Sequence, residues 1–528
     1  MEQGTGLSRG KKIWKWIGIS VVLVAIGLAV AGQVLIDRAA PILKGRVIET
    51  LSTKFDSKVE LDGFQVSVLK GLEVSGSGLR IFAPDDVVAA GATKPEISLG
   101  QFTFHASLTG LFVKPMHVGT VHVSGLTIDI PPREMRRQGA PRTHKNGKIK
   151  IVVDQIVCDD SRLLIETSKP GKDPKDFELK HIEMHDVGPS DPWRYEAMLT
   201  NAVPKGDIQA NGTFGPWVTE DPGGSSINGH YTFDHADLNT IKGIGGTLSS
   251  VGTFGGLLNK IAVNGTTKTP NFSLDTANHP VPLETTFQAV VDGTTGDTYL
   301  NSVDAVMGQS HFTTNGQVVN IKGVGHTIDL NVDVPHGRIE DFLQLAVKTE
   351  PAIMTGTVGM KAKIHIGPGK QRVAEKLGMK ASYTVTGIHF TNPKWEDKID
   401  MMSLRAEGDP KAAKPGAKDV HSQMMGTFVM DKGELRFSDL EYKLPGAEIR
   451  LVGDYSLDGN KFDFVGKVRT DAKISQMVAS RWKSIMLKPV DPFFHKNGAG
   501  AEIPVKITGT RSEPKFGLDL HDKNNPVK

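Results

Sequence analysis

His181 and His185, in KHIEMH (180–185), come nearest to a metal-binding spacing anywhere in this 528-residue chain. On a helix, residues i and i+4 share a face and can hold a zinc ion together. This segment instead alternates apolar and polar residues, so it reads as a strand, where the two histidines also share a face. No third ligand accompanies them, and they read as a surface pair. The acidic, glycine-rich DGTTGD (292–297) has too few carboxylates for a calcium loop and reads as a turn. Asp85/Asp86 and Asp159/Asp160 are paired carboxylates, but glycoside hydrolysis needs two such groups at a set separation in space; both pairs read as turn residues. Asn211, Asn264 and Asn271 open NGT, NGT and NFS sequons, which matter only in a host that glycosylates them.

The motifs of the common enzyme classes are missing. There is no HExxH, no GxSxG elbow, no phosphate-binding GxxxxGK[ST] loop and no EF-hand loop. The single cysteine, Cys158, cannot form an intramolecular disulfide or a Cys/His zinc set. It lies in the apolar run IKIVVDQIVCDD (149–160) and reads as a small core residue. These observations argue against an enzyme and call for neither cofactor nor metal. The formal net charge of +3 is small for this length and argues against a nucleic-acid partner.

The elements that would carry any function are easier to read. WIGISVVLVAIGLAVAGQVLI, residues 16–36, is an uncharged apolar run long enough to cross a hydrocarbon core. Lys11, Lys12 and Lys15 precede it, with Trp14 and Trp16 at the interface position. Positive charge before the run keeps the N-terminus cytoplasmic and the bulk of the chain outside. A cleaved signal peptide, with Ala29-Val30-Ala31 as the small-residue site, is the competing reading. Ile42, Leu43, Val47, Ile48, Leu51 and Phe55 then follow helical spacing, as in a helix capping the end of a sheet or lying on a membrane surface.

From Lys58 onward the apolar period becomes two. FDSKVELDGFQVSVLKGLEVSGSGLRIF (55–82) begins a long series of alternating stretches separated by glycine-containing turns. The 58 glycines suit many turns and bulges. MGTFVMDKGELRFSDLEYKL, AEIRLVGDYSLDGNKFDFVGKV and IPVKITGTRSEPKFGLDL read as successive hairpins. Helices are expected at GRIEDFLQLAVK, with Ile339, Phe342, Leu343 and Ala346 on one face, and at DAKISQMVASRWKSIM, with Ile474, Met477, Val478, Trp482 and Ile485 on one face. The expected organisation is a cytoplasmic tail (1–15), a span (16–36), a helix with a first β segment (37–130), a basic linker (131–148), a central β region (149–335), a helix-plus-β region (336–406), a second linker (407–419) and a C-terminal β region with a short helix (420–528).

Several segments carry a resemblance. The anchor and helix lead into KVELDGFQVSVLKGLEVSGSGLRI. VVDQIVCDDSRLLIE, GDIQANGTFGPW and NKIAVNGTTKTPNFSLD follow, then MGTFVMDKGELRFSDLEYKLPGAEIRLVGDYSLDG, and the chain closes with WKSIMLKPVDPFFHKNGAGAEIPVKITGTRSEPKFGLDL. In this order they resemble the AsmA family of Gram-negative envelope proteins, related to TamB and YdbH and more distantly to bridge-like lipid-transfer proteins. The resemblance implies a single-pass inner-membrane anchor and a mainly β periplasmic part, an elongated antiparallel sheet curled into an apolar groove with a few short helices. It further implies phospholipid as the transported ligand, roles in outer-membrane lipid homeostasis and assembly, and outer-membrane or envelope proteins as partners. Phe64, Val66, Val68, Leu72, Val74, Leu79 and Ile81 are the groove candidates on the first strands. The same alternation also serves a membrane-anchored β-sandwich that binds protein or polysaccharide. A single row of about 25–35 strands, at roughly 4.8 Å each, would span on the order of 120–170 Å, and strung sandwiches would be shorter.

Overall fold

The computed structural model describes residues between 41 and 518, apart from 53–56, 68–71, 107–115, 131–150, 166–174, 217–221, 322–324 and scattered single or paired positions. The expected span at 16–36, its flanking Lys11, Lys12, Trp14, Lys15 and Trp16, and the basic stretch at 131–148 lie outside the described residues. Among the described residues no helix is long and apolar enough to cross a membrane.

The chain is mainly β, as its alternation predicts. Strand takes up 64% of the described residues, in a large, long, mixed sheet with few helices. Twenty-five strands are described, at the low end of the number expected. The chain divides into two compact units, residues 1–202 with 207–231, and 203–206 with 232–528.

In the first unit, β1 (Val59–Glu60) and β2 (Gly63–Ser67) both pair with β3 (Leu72–Phe82), followed by β4 (Pro95–Ala106), β5 (Met116–Ile130), β6 (Ile151–Ile165), β7 (Lys175–Val187), β8 (Trp193–Asn201) and β9 (Lys205–Phe214). A short helix α1 (Asp85–Ala89) joins β3 to β4. The helical residues Val47, Ile48 and Leu51 pack on a buried cluster of Val59, Leu61, Leu79 and Ile81. The helix therefore seals the first strands, as its spacing suggests.

Two expectations need correction here. The sheet is not wholly antiparallel, because β5 and β6 run parallel, from Met116↔Ile151 to Ile130↔Ile165. In a parallel pair the end of one strand and the start of the next lie at opposite ends, so Ile130 and Ile151 stand a full strand length apart, roughly 45 Å. Asp159 and Asp160 are also not turn residues: they lie inside β6. Asp85 and Asp86 begin α1.

Asp160 belongs to a feature that the alternation does not announce. The pairings Leu79↔Leu99, Leu99↔Leu126 and Ser124↔Asp159 line up Gly78, Gly100, Gly125 and Asp160 across four strands. Gly78, Gly125 and Asp160 have φ of 64°, 66° and 49°. A left-handed residue interrupts the two-residue alternation, and the apolar positions change phase across this row. They run Val74 to Leu79 on β3, Phe102 to Leu99 on β4 and Val123 to Leu126 on β5. The row keeps one side of the sheet apolar through the change. Nothing lies closer than 3.6 Å to a Cβ built on Gly125, so Gly125→Ala probes backbone conformation alone. It should lower the unit's stability by about 1–2 kcal/mol in a denaturant titration.

The second unit begins within β10 (Ser226–Asp237) and continues with β11 (Ile244–Gly245), β12 (Thr247–Leu257), β13 (Lys260–Leu274), β14 (Val281–Val291), β15 (Thr298–Met307), β16 (Ser310–Ile321), β17 (Gly325–Arg338), β18 (Met354–Ile366) and β19 (Leu377–Phe390). It closes with β20 (Ser422–Asp431), β21 (Glu434–Leu444), β22 (Ala447–Ser456), β23 (Phe462–Thr470), β24 (Ala501–Gly509) and β25 (Pro514–Leu518). From β12 on, each strand pairs antiparallel with the next. Asp431 and Glu434 close the β20–β21 hairpin, with Lys432 and Gly433 at φ 50° and 80°, the geometry of a two-residue hairpin turn. DGTTGD closes the β14–β15 hairpin as a turn, with Gly296 N–H donating to the Asp292 carbonyl at 2.7 Å.

In neither unit does a pairing among the described residues close the sheet on itself. The sheets are open and uncurled, in place of the curled groove that the resemblance implies. The terminal strands keep a free edge, since β25 pairs only with β24 and β2 only with β3.

Helix α2 (Ile339–Ala346) forms where its spacing predicts. After the short α3 (Val373–Lys376) comes α4 (Pro393–Glu407), absent from the sequence reading. Asn392 caps α4 through Lys394 N–H at 3.0 Å, and Gly408 ends it at φ 93°. The stretch read as one helix at 471–486 is split: a 3-10 turn covers Ile474–Gln476, and α5 spans only Arg481–Leu487, followed by α6 (Asp491–Phe494).

Candidate apolar binding face

The register in the second unit assigns each side chain to a face. Ile328 and Leu330 on β17 pair with Ile366 and Ile364 on β18, which pair with Leu377 and Met379 on β19. Their sequence neighbours point the other way: Asp329, Asn331 and Asp333 face His365, Lys363 and Lys361. The pattern repeats from β12 to β25, so one face is apolar along the whole series. Hydroxyl residues interrupt it: a row of Ser250, Thr267 and Thr285, where Thr267 and Thr285 bond at 2.8 Å, and Thr269, Thr298 and Thr314 beside it.

Among the described residues, α2 and α4 cover one end of this face. Phe342 of α2 meets Phe312 at 6.4 Å between ring centres. Ser310 Oγ donates to Asp341 of α2 at 2.6 Å. Ala406 of α4 is fully buried in a cluster with Val358, Val385, Ile388 and Tyr442. Val420 N–H donates to Asp400 at 3.2 Å, and Ser403 Oγ donates to the Pro445 carbonyl at 2.8 Å. These bonds satisfy the buried polar groups that α4 brings with it.

Beyond the helices an aromatic row continues across five strands. Tyr383 stacks against Phe428 at 5.9 Å, Phe428 against Phe437 at 5.6 Å, and Phe437 against Phe464 at 5.8 Å. Phe462 and Tyr455 extend it at 6.1 and 5.0 Å. Burial pushes the Tyr383 phenol upward, with the Asp439 charge adding to it, so that hydroxyl stays neutral. Leu330, Ile364, Phe428 and Phe437 are only half-buried. Every aromatic partner in this row comes from the same or an adjacent strand, or from one strand further, within the ladder.

The seven sequence candidates fall in the first unit and do not behave alike. Val66 and Val74 face each other across β2 and β3 and are buried. Leu79 and Ile81 are buried under the N-terminal helix, and half-buried Phe64 packs beside them. These three therefore seal the end of the sheet rather than line an open surface. Leu72 opens β3, and Val68 lies outside the described residues. The residues with most apolar surface available, on β17 to β25, escaped the sequence reading. Their alternation was visible, but which strands carry a cover depends on where α2 and α4 dock.

The opposite faces are polar and knitted by cross-strand contacts. His181 Nδ1 lies 2.6 Å from Asp159, and His185 Nε2 lies 2.9 Å from Glu183. Gln155 donates to the same Glu183 carboxylate and accepts from Thr120 Oγ at 3.1 Å. Both histidines are half-buried and paired to carboxylates, and no group of three potential ligands suited to a metal is found among the described residues. Asp159 holds the His181 pKa above its ordinary value of 6.5, and the Gln155 bond, with the histidines, holds Glu183 below 4.5. A raised histidine stabilises fully below pH 6.5, and that contribution is lost as pH rises through the folded pKa. A lowered glutamate stabilises above pH 4.5 and loses its contribution as pH falls through its folded pKa. The first unit should therefore be most stable between these limits. Both groups are half-buried and still reach solvent, so the effect stays under about 1 kcal/mol. Denaturant titrations across pH 3 to 8 check this, and His181→Gln should flatten the upper limb. Burial pushes the Cys158 thiol up to about 11, in keeping with a core residue.

No protein-family model matches the sequence, and no curated protein matches it.

Proposed function

We propose that this is a non-enzymatic, membrane-anchored envelope protein that handles phospholipid, with acyl chains lying along the apolar face of its sheet and head groups left in water. The observation that supports this reading most is the largely apolar face running from β12 to β25, half-buried and covered at one end by α2 and α4 among the described residues. Exposed apolar surface on this scale marks a binding surface more often than idle surface. Sliding along a non-directional apolar face needs no catalytic group. On this reading the chain is a member of the AsmA group, its N-terminal apolar run spans the bacterial inner membrane, and its sheet lies in the periplasm.

The test is photo-crosslinking of the full chain in cells. A photoreactive phenylalanine at Ile364, on the apolar face, should yield phospholipid adducts by mass spectrometry. The same residue at Lys363, on the other face, should yield few. Protein or glycan adducts at Ile364, with no lipid, would favour the β-module that binds protein or polysaccharide.

A further inference from the structure

The segment between β23 and β24 displays its largest apolar side chains outward. Trp482, Ile485 and Met486 of α5 are 69%, 58% and 58% exposed, and Phe493 of α6 is 80% exposed. The three on α5 follow i, i+3, i+4 spacing and so share one side of the helix. A misplaced core element would be poorly held, but this one is tied down from behind. Ser475, which is buried, donates from its N–H and Oγ to the two Asp491 oxygens at 2.9 and 2.7 Å. Ala472 N–H donates to the Ala406 carbonyl at 2.8 Å, and α6 packs on β24.

Charge identifies what this side fits. Arg481, Lys483 and Lys488 are exposed among the apolar residues. The one carboxylate between Ile474 and His495 is Asp491, and it is turned back onto Ser475. Cations around tryptophan, isoleucine, methionine and phenylalanine match an interface with apolar depth and negative head groups. We infer that this element docks the second unit on the surface of an anionic lipid bilayer, inserting Trp482, Ile485, Met486 and Phe493 at the head-group boundary. The inference stands apart from the lipid-handling reading, since surface docking requires no lipid on the sheet.

The full chain, held in phosphatidylcholine nanodiscs, would be sedimented with heavy vesicles of phosphatidylcholine with or without phosphatidylglycerol. We expect co-sedimentation with the anionic vesicles and little with the neutral ones. Arg481→Gln with Lys483→Gln and Lys488→Gln should weaken it about a hundredfold, at roughly fivefold per cation. Trp482→Ser with Phe493→Ser should weaken it at least tenfold. Trp482→Phe keeps the aromatic bulk and should remove the blue shift in emission that anionic vesicles induce in the wild type. Failure of the wild type to sediment with anionic vesicles would overturn the inference and leave the surface to a protein partner. Equal binding to neutral vesicles, or variants that bind like wild type, would overturn it as well.

Discussion

Leu330→Asp combined with Ile364→Asp will reduce the phospholipid co-purifying with residues 40–528 at least tenfold. The two side chains face each other on β17 and β18, on the apolar side and beyond the reach of the helices. An acyl chain lying over them would bury two carboxylates with no partner, and an unpaired buried charge costs far more than the roughly 1.4 kcal/mol that a tenfold change represents. Both residues are half-buried, so the folded protein should lose only about 1–3 kcal/mol. Asn331→Asp with Lys363→Asp is the matched control: the same two strands, one residue along, on the polar face. Lipid is measured by extraction and mass spectrometry after purification without detergent. Lipid retained in the first variant, or lost equally from the control, would remove the apolar face from the mechanism.

Gly466→Val will destabilise the second unit by about 3 kcal/mol or more. Gly466 pairs with Leu451 in the β22–β23 ladder. A Cβ at this position would stand 1.9 Å from the Arg450 carbonyl oxygen and 2.9 Å from the Leu451 side chain. The first of these is backbone held in the ladder, so it cannot swing aside as a side chain would. The strands must part locally, which costs ladder hydrogen bonds as well as packing. Gly517→Ala on β25, with nothing within 4 Å of the added carbon, should shift the urea midpoint by less than about 0.5 kcal/mol in equivalent stability. A Gly466→Val protein with wild-type stability would mean that the β22–β23 ladder yields far more easily than its geometry implies.

Much of this fold can be read along the chain because its signals are local. A period of two yields strands, and Asp-Lys-Gly-Glu at 431–434 yields a hairpin. The spacing of Ile339, Phe342 and Ala346 yields α2. The helix α4 had its signals too, Asn392-Pro393 to start and Gly408 to stop, but its charged outer side masks the apolar stripe Ile399, Met402 and Ala406. The break in 471–486 was harder to foresee, since Asp491 draws Ser475 toward itself from sixteen residues away.

Strand content, hairpin turns and the alternation of apolar with polar residues are set by the chain's own order, because backbone pleat and turn chemistry act over two to four residues. The parallel meeting of β5 with β6, the left-handed row through Gly78, Gly125 and Asp160, and the choice of which apolar side chains are sealed are set by long-range docking. Leu79 and Leu330 look alike in sequence. One lies under a helix and the other does not, because burial depends on which distant segment arrives to cover each face.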